Sequence, residues 1–133
     1  MFRKTSKPQN RIDCLIGATT RIEGNVFFSG GLRVDGTVRG NVCALPEQPG
    51  TLVVSEDTCI DGEVQAAHIV VNGAINGSVD ATETLELQAS SKVKGDVHYK
   101  SIEMQQGAVV EGRLVHRDGG DVKNVELKLA AGG

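Results

Sequence analysis

Val71-Asn72-Gly73-Ala74-Ile75-Asn76-Gly77-Ser78-Val79 is the stretch that decides how this chain folds, because it states one five-residue word twice over: aliphatic, any, Gly, any, aliphatic. The same doubled form stands at Val34-Asp35-Gly36-Thr37-Val38-Arg39-Gly40-Asn41-Val42. Single copies occur at Ile22-Glu23-Gly24-Asn25-Val26, Ile60-Asp61-Gly62-Glu63-Val64, Val93-Lys94-Gly95-Asp96-Val97 and Val110-Glu111-Gly112-Arg113-Leu114. One glycine per repeat, at 24, 40, 62, 77, 95 and 112, gives spacings of 16, 22, 15, 18 and 17 residues, with a mean of 17.6. A short unit recurring at a near-constant interval marks a solenoid, in which each unit buries its apolar face against its neighbours.

The one long interval holds Ala44-Leu45-Pro46-Glu47-Gln48-Pro49-Gly50, which reads as a surface loop inserted at a corner; removing it would restore the period. Between the Gly words of the later repeats lie Ile69-Val70-Val71, Leu85-Glu86-Leu87 and Ile102-Glu103-Met104, whose alternation at period two means strand with one face buried. No part of this region sustains a period near 3.6, so no helix is expected in it. Short strands, glycine punctuation and this period predict an all-β, single-domain parallel β-helix of about six three-sided rungs, stacked at ~4.8 Å into a rod roughly 30 Å long. The inward positions are expected to be Ile22, Val26, Val34, Val38, Val42, Ile60, Val64, Ile69, Val71, Ile75, Val79, Leu85, Leu87, Val93, Val97, Ile102, Met104, Val110 and Leu114. A β-sandwich is the competing architecture, but it has no reason to repeat one word at a fixed interval.

Composition agrees with a narrow core. The 133 residues include 17 glycines, three Phe, one Tyr and no Trp, which suits stacked Val, Ile and Leu better than a core filled by aromatics. A net charge of −3 offers no broad basic footprint, and no aromatic platform is available for single strands, so nucleic acid is not an expected partner. The absence of a long apolar stretch and of a secretory leader places the chain in the cytoplasm. Cys14, Cys43 and Cys59 form no CxxC pair and no even disulfide set, so reduced, partly buried thiols are expected.

A β-helix hides its strand edges everywhere but at its two ends. The polar flank 1–13 is too short to cover one end, and Arg117-Asp118-Gly119-Gly120 reads as the exit from the other, which leaves 117–133 as a flexible tail. Two open ends on a stable rod predict end-to-end stacking into a filament, with Ile16, Ile22, Val26, Val110, Leu114 and Val115 as candidate interface residues. Val125, Leu127 and Leu129 alternate like an edge strand and offer the opposite possibility, a cap over the last rung; a mobile tail is the favoured reading. At the N-terminus, Arg3, Lys4, Lys7 and Arg11 follow Met1-Phe2 without an intervening acid. This is either a soluble, disordered start or a weak membrane foot, marginal in one copy and firm when a filament presents many.

The run Ile12-Asp13-Cys14-Leu15-Ile16-Gly17 through Gly30-Gly31-Leu32-Arg33-Val34-Asp35-Gly36, together with Gly50-Thr51-Leu52-Val53-Val54-Ser55 and Gly95-Asp96-Val97-His98-Tyr99, resembles the bactofilins over residues 12 to about 116. That resemblance implies a right-handed β-helix over 14–116, and nucleotide-independent, non-polar filaments joined through like ends. It further implies scaffold roles in cell shape, cell-wall synthesis or polar positioning at the inner face of the cytoplasmic membrane, with cell-wall synthesis or hydrolysis enzymes as possible partners. Many bactofilins begin Met-Phe with a nearby Lys as a membrane-targeting motif, which Met1-Phe2-Arg3-Lys4 resembles. They often carry an aromatic in the last rungs at the polymerising end, where this chain has Leu114 and Val115.

An enzyme reading finds little to rest on. Left-handed acyltransferase helices place an aliphatic every six residues, whereas the steps here are two, four, five and six. His68, His98 and His116 stand apart from any nucleophile or carboxylate at a diagnostic spacing. Glu23, Asp35, Asp61 and Glu111 beside the corner glycines lack the repeated Asp-containing nonapeptide of a calcium ladder, and Lys94 breaks their column. No Gly-rich loop joins a strand to a helix, so no nucleotide or other cofactor is expected. The expectation is a structural polymer whose main partner is itself. The alternative is a monomeric or dimeric β-helical adaptor that binds a cell-wall enzyme or membrane protein through its walls.

Overall fold

The computed structural model describes residues 12–46 and 49–117, and among them every regular element is a strand. Sixteen strands wind into six rungs, and every pairing between rungs is parallel. The first wall stacks β1 (Cys14–Ile16), β4 (Gly30–Val34), β7 (Gly50–Val54), the second half of β9 (Val64–Val71), the second half of β11 (Val79–Leu87) and β14 (Ser101–Met104). The second wall stacks β2 (Arg21–Glu23), β5 (Thr37–Arg39), β8 (Cys59–Asp61), β10 (Ala74–Asn76), β12 (Lys92–Lys94) and β15 (Val109–Glu111). The third stacks β3 (Val26–Phe28), β6 (Val42–Ala44), the first halves of β9 and β11, β13 (Val97–Tyr99) and β16 (Leu114–His116). Because β9 and β11 turn the third corner without losing their pairing, the first and third walls run on as one ten-stranded sheet.

Most of the expected inward residues are in the observed core. Val34, Val38, Val42, Ile60, Ile75, Val79, Val93 and Val97 are fully buried, in columns set by the parallel register: Ile22 lies under Val38, then Ile60, Ile75, Val93 and Val110. Each such aliphatic contributes ~1.5–3 kcal/mol when fully buried. Met104 is the one expected inward residue that is exposed, at 43%. It continues the column of Leu87 and Val71, but it belongs to the last rung, so no described residue covers its outer side. Core positions that the repeat word does not flag are Leu32, Leu52 and Val54 on the first wall and Phe28, Ala66, Ala81 and Tyr99 on the third, where the partly buried Ala44 pairs with Phe28 and His116 with Tyr99.

The uneven spacing of the glycine words has a structural cause. The corner from first to second wall is four residues long in the first, third, fifth and sixth rungs and two residues long in the second and fourth. Gly17-Ala18-Thr19-Thr20, Ser55-Glu56-Asp57-Thr58, Gln88-Ala89-Ser90-Ser91 and Gln105-Gln106-Gly107-Ala108 each close a turn through an N–H to C=O bond from fourth residue to first, at 3.0, 3.1, 2.9 and 3.1 Å. Asp35-Gly36 and Asn72-Gly73 make the same corner in two residues, and these are the rungs whose words are doubled. A Cβ on Gly73 would lie 2.2 Å from the Ser55 carbonyl oxygen, so the short corner nests directly on the long one beneath. Thr58, 2% exposed, satisfies its hydroxyl by donating to the Val34 carbonyl. The 22-residue interval therefore combines the loop after Ala44 with a change from a two-residue to a four-residue corner, and removing the loop alone would not level the spacing. At the second corner the six word glycines stack, and a Cβ on Gly62 would meet the Gly40 carbonyl oxygen at 2.1 Å. No side chain fits between rungs there.

Candidate assembly interface

The two ends of the rod are where packing stops. Among the described residues, β1, β2 and β3 pair only upward, with β4, β5 and β6, and β14, β15 and β16 pair only downward, with β11, β12 and β13. Each end thus presents three strand edges around an apolar centre. Asp13 pins the chain start to the second rung: its N–H donates to the Gly31 carbonyl at 2.8 Å, and its carboxylate accepts from the Gly31 N–H at 2.9 Å. At the other end the Arg117 N–H donates to the Tyr99 carbonyl, and the Arg117 guanidinium pairs with Asp80, two rungs down the third wall. These bonds tie the residues that flank the first and last strands to the neighbouring rungs.

The candidate interface residues separate into three kinds. Ile22 and Val26 at one end, and Val110 and Leu114 at the other, are partly buried members of core columns whose middle members are fully buried. Ile16 is already 7% exposed and has little surface left to give. Val115 pairs with His98 on the outward side of the third wall and therefore flanks the end without being part of its centre. The structure adds Cys14, which continues the inward column of Leu32 and Leu52 and is exposed because it is the lowest member; Ile102 and Met104 play that part at the far end. The signal that could have found Cys14 is the strand alternation of Gly30–Val34, carried one rung down; Ile102 and Met104 carry theirs in Ile102-Glu103-Met104. Near the C-terminal end, Tyr99 packs edge to face on His116, with ring centroids 5.6 Å apart, so the aromatic sits one rung below Leu114 and Val115. Met1, Phe2, Arg3 and Lys4, the candidate membrane-targeting residues, and the alternating segment 122–129 lie outside the described residues.

Elsewhere the side chains decorate walls. The second wall's outer column runs Glu23, Arg39, Asp61, Asn76, Lys94, Glu111, with Asp61 contacted by Arg39 at 4.0 Å and by Asn76 at 2.7 Å; Asp35 stands apart, at the first corner. Hydrogen bonds from Ser55 first, then from Arg33, hold the Asp35 carboxyl below its ordinary range. His68 Nδ1 lies 2.8 Å from the Thr84 hydroxyl. Burial, and secondarily the nearby Glu63 carboxylate, pushes the Cys43 thiol up.

A family model described as Bactofilin, polymer-forming cytoskeletal, matches residues 14–115. Among curated proteins, bactofilin BacP of Myxococcus xanthus (strain DK1622) is 26% identical over 121 residues, which cover 91% of this chain and 48% of BacP. Bactofilin BacO of the same organism is 25% identical over 112 residues, covering 84% of this chain and 83% of BacO. The chain therefore spans about half the length of the one relative and most of the other. No solved structure matches it significantly.

Proposed function

Because the chain belongs to the bactofilin family of polymer-forming cytoskeletal proteins, we propose that it is a scaffold that polymerises end to end through its terminal rungs, without nucleotide, into non-polar filaments. The observation that supports this reading is the contrast between fully buried middle rungs and terminal rungs whose core aliphatics and three strand edges are left uncovered by the described residues. Burying one such aliphatic gains at most ~1.5–3 kcal/mol, while association costs several kcal/mol in lost freedom. The few apolar side chains of one end are therefore only just sufficient, and pairing of the three strand edges supplies the remaining affinity and the alignment. Met1-Phe2-Arg3-Lys4 would hold such filaments at the inner face of the cytoplasmic membrane, each copy weakly and many copies firmly. There the polymer would organise cell shape, cell-wall synthesis or polar positioning by structural rather than catalytic means.

Negative-stain electron microscopy of the purified chain, without nucleotide or metal, beside Leu114→Arg tests the assembly. Filaments from the parent and short particles from the variant are expected, since a guanidinium at the centre of an apolar end cannot be buried unpaired. Discrete particles from the parent at high concentration would sink the polymer reading.

A further inference from the structure

The third corner, where each rung passes from the third wall to the first, is not level along the rod. At the end of the third rung it turns tightly on Ala66-Ala67, which are 2% and 8% exposed. One rung further on the pairing shifts between Ala81 and Thr84, so that Thr82-Glu83 stands opposite Ala67 alone and one extra residue protrudes. On the other side stand Leu45, still 38% exposed, and Pro49, which flank the second rung's corner. Between them lies a notch of about 580 Å³, with Ala66 and Ala67 as its floor, Leu45 and Pro49 on one flank and Thr82 and Glu83 on the other. The flanks are two rungs apart, ~9.6 Å, which admits a single extended chain lying parallel to the rungs.

The described chain ends at this same corner. His116 lies over Tyr99, so a seventh rung in the same register would lay Asp118, Gly119, Gly120 and Asp121 over Ser101, Ile102, Glu103 and Met104. That register sets a glycine and a carboxylate over the two core positions Ile102 and Met104, and a carboxylate buried without a partner is costly. Gly119-Gly120 permits a reversal instead. From Arg117 back to Ala67 is three rungs, ~14 Å, and the chain from Arg117 to Val122 reaches up to ~17 Å when extended. On that path Asp118 and Asp121 pass Lys100, whose ammonium lies 3.7 Å from Glu83 with the side chain 58% exposed. Beyond them Val125, Leu127 and Leu129 alternate, so an extended segment has one apolar face ~13 Å long, about the width of the corner from Gln65 to His68. We propose that residues 122–129 dock in the notch of their own chain, with Val125, Leu127 and Leu129 on the floor of Ala66 and Ala67. Three partly buried aliphatics would hold a free peptide weakly, but a linker of a few residues keeps the segment at an effective concentration in the mM range. Docking there leaves the last rung open to stacking and does not depend on polymerisation.

Hydrogen–deuterium exchange of the full chain, at concentrations above and below the onset of filaments, tests the docking. Amides of 122–129 are expected to exchange several-fold more slowly in the parent than in Leu127→Asp, and equally so at both concentrations. Leu45→Asp, on the flank of the notch, should remove the same protection, and Lys100→Glu should reduce it less. Each of these surface changes should leave the unfolding temperature nearly where it was. Below the onset of filaments, the methyl NMR signals of Ala66 and Ala67 should also shift in Leu127→Asp, a change made outside the solenoid. Parent amides that exchange at the rate of an unfolded peptide, or alanine methyls that do not respond to Leu127→Asp, would overturn the proposal. So would protection that survives Leu45→Asp and is lost in Ile102→Asp, which would place the segment over the last rung. Protection that appears only at the higher concentration would place it on another copy, and would overturn docking within one chain as well.

Discussion

The third and fourth rungs and the first and last are built from the same words, yet they meet opposite fates. Ile60 and Ile75 in the middle are 0% exposed, while Ile22 and Val110, the ends of the same column, are only partly covered. The side chains are equivalent; what differs is whether a neighbour lies on both sides. In a solenoid stability is a sum of rung-to-rung interfaces, and the ends supply one where the middle supplies two. The same residue type is therefore structural in the middle and available for assembly at the end.

Trimming one column at two heights breaks that comparison most forcefully. Ile75→Ala leaves a cavity between two rungs and should cost about 2–5 kcal/mol in denaturant unfolding. Ile22→Ala should cost about 1 kcal/mol or less, because only part of its side chain was buried to begin with, while weakening polymerisation. Equal losses of stability at both positions would show that the ends are covered in solution.

Thiol reactivity sharpens the same contrast. Cys14 is an exposed member of a core column at the N-terminal end, whereas Cys43, on the third wall, is half-buried with its thiol pushed up. In dilute, unassembled protein a disulfide reagent near neutral pH should modify Cys14 before Cys43, since the thiolate is the reacting form and Cys43 resists forming it. On polymerisation through that end, Cys14 alone should be protected, by several-fold. Protection of Cys43 with Cys14 unchanged would move the contact from the end to the third wall.

The smallest effect concerns a corner. Asp35, between the first and second walls, has its carboxyl lowered from the usual 3.8 by its bonds from Ser55 in the next rung and from Arg33. The folded value lies below the unfolded one, so the group's contribution is fully present above about pH 4 and is lost as the pH falls through the folded value. Asp35→Asn should therefore lower stability slightly at neutral pH and leave it unchanged below the folded value, so that the acid limb of the stability curve becomes flatter; an unaltered acid limb would show that the corner bonds add nothing to the core columns.

How much of this was legible follows from where the repeat word falls. The word runs from the second wall across a corner to the third, so its aliphatics identified Val38, Ile60, Ile75 and Val93 on the second wall and Val42, Val64, Val79 and Val97 on the third without any coordinates. Leu32 and Leu52 lie in first-wall strands, Gly30–Val34 and Gly50–Val54, whose alternation is visible but follows corners of unequal length, so no fixed offset from the word reaches them. The other inward column of the third wall escaped detection because Phe28, Ala66, Ala81 and Tyr99 share neither size nor a spacing with a common marker.

The sequence alone determined the period, the strand state, the stacked aliphatics and the family, because a rung can bury its apolar face only by repeating. Only the tertiary structure decided which repeats become neighbours on each wall and where the corners shorten from four residues to two. That register, and nothing local, places Cys14 in an uncovered core column and Arg33 three rungs from Glu86 on one face. Outward residues are separated along the chain by a whole turn of the solenoid, and chain order by itself carries no record of that third dimension.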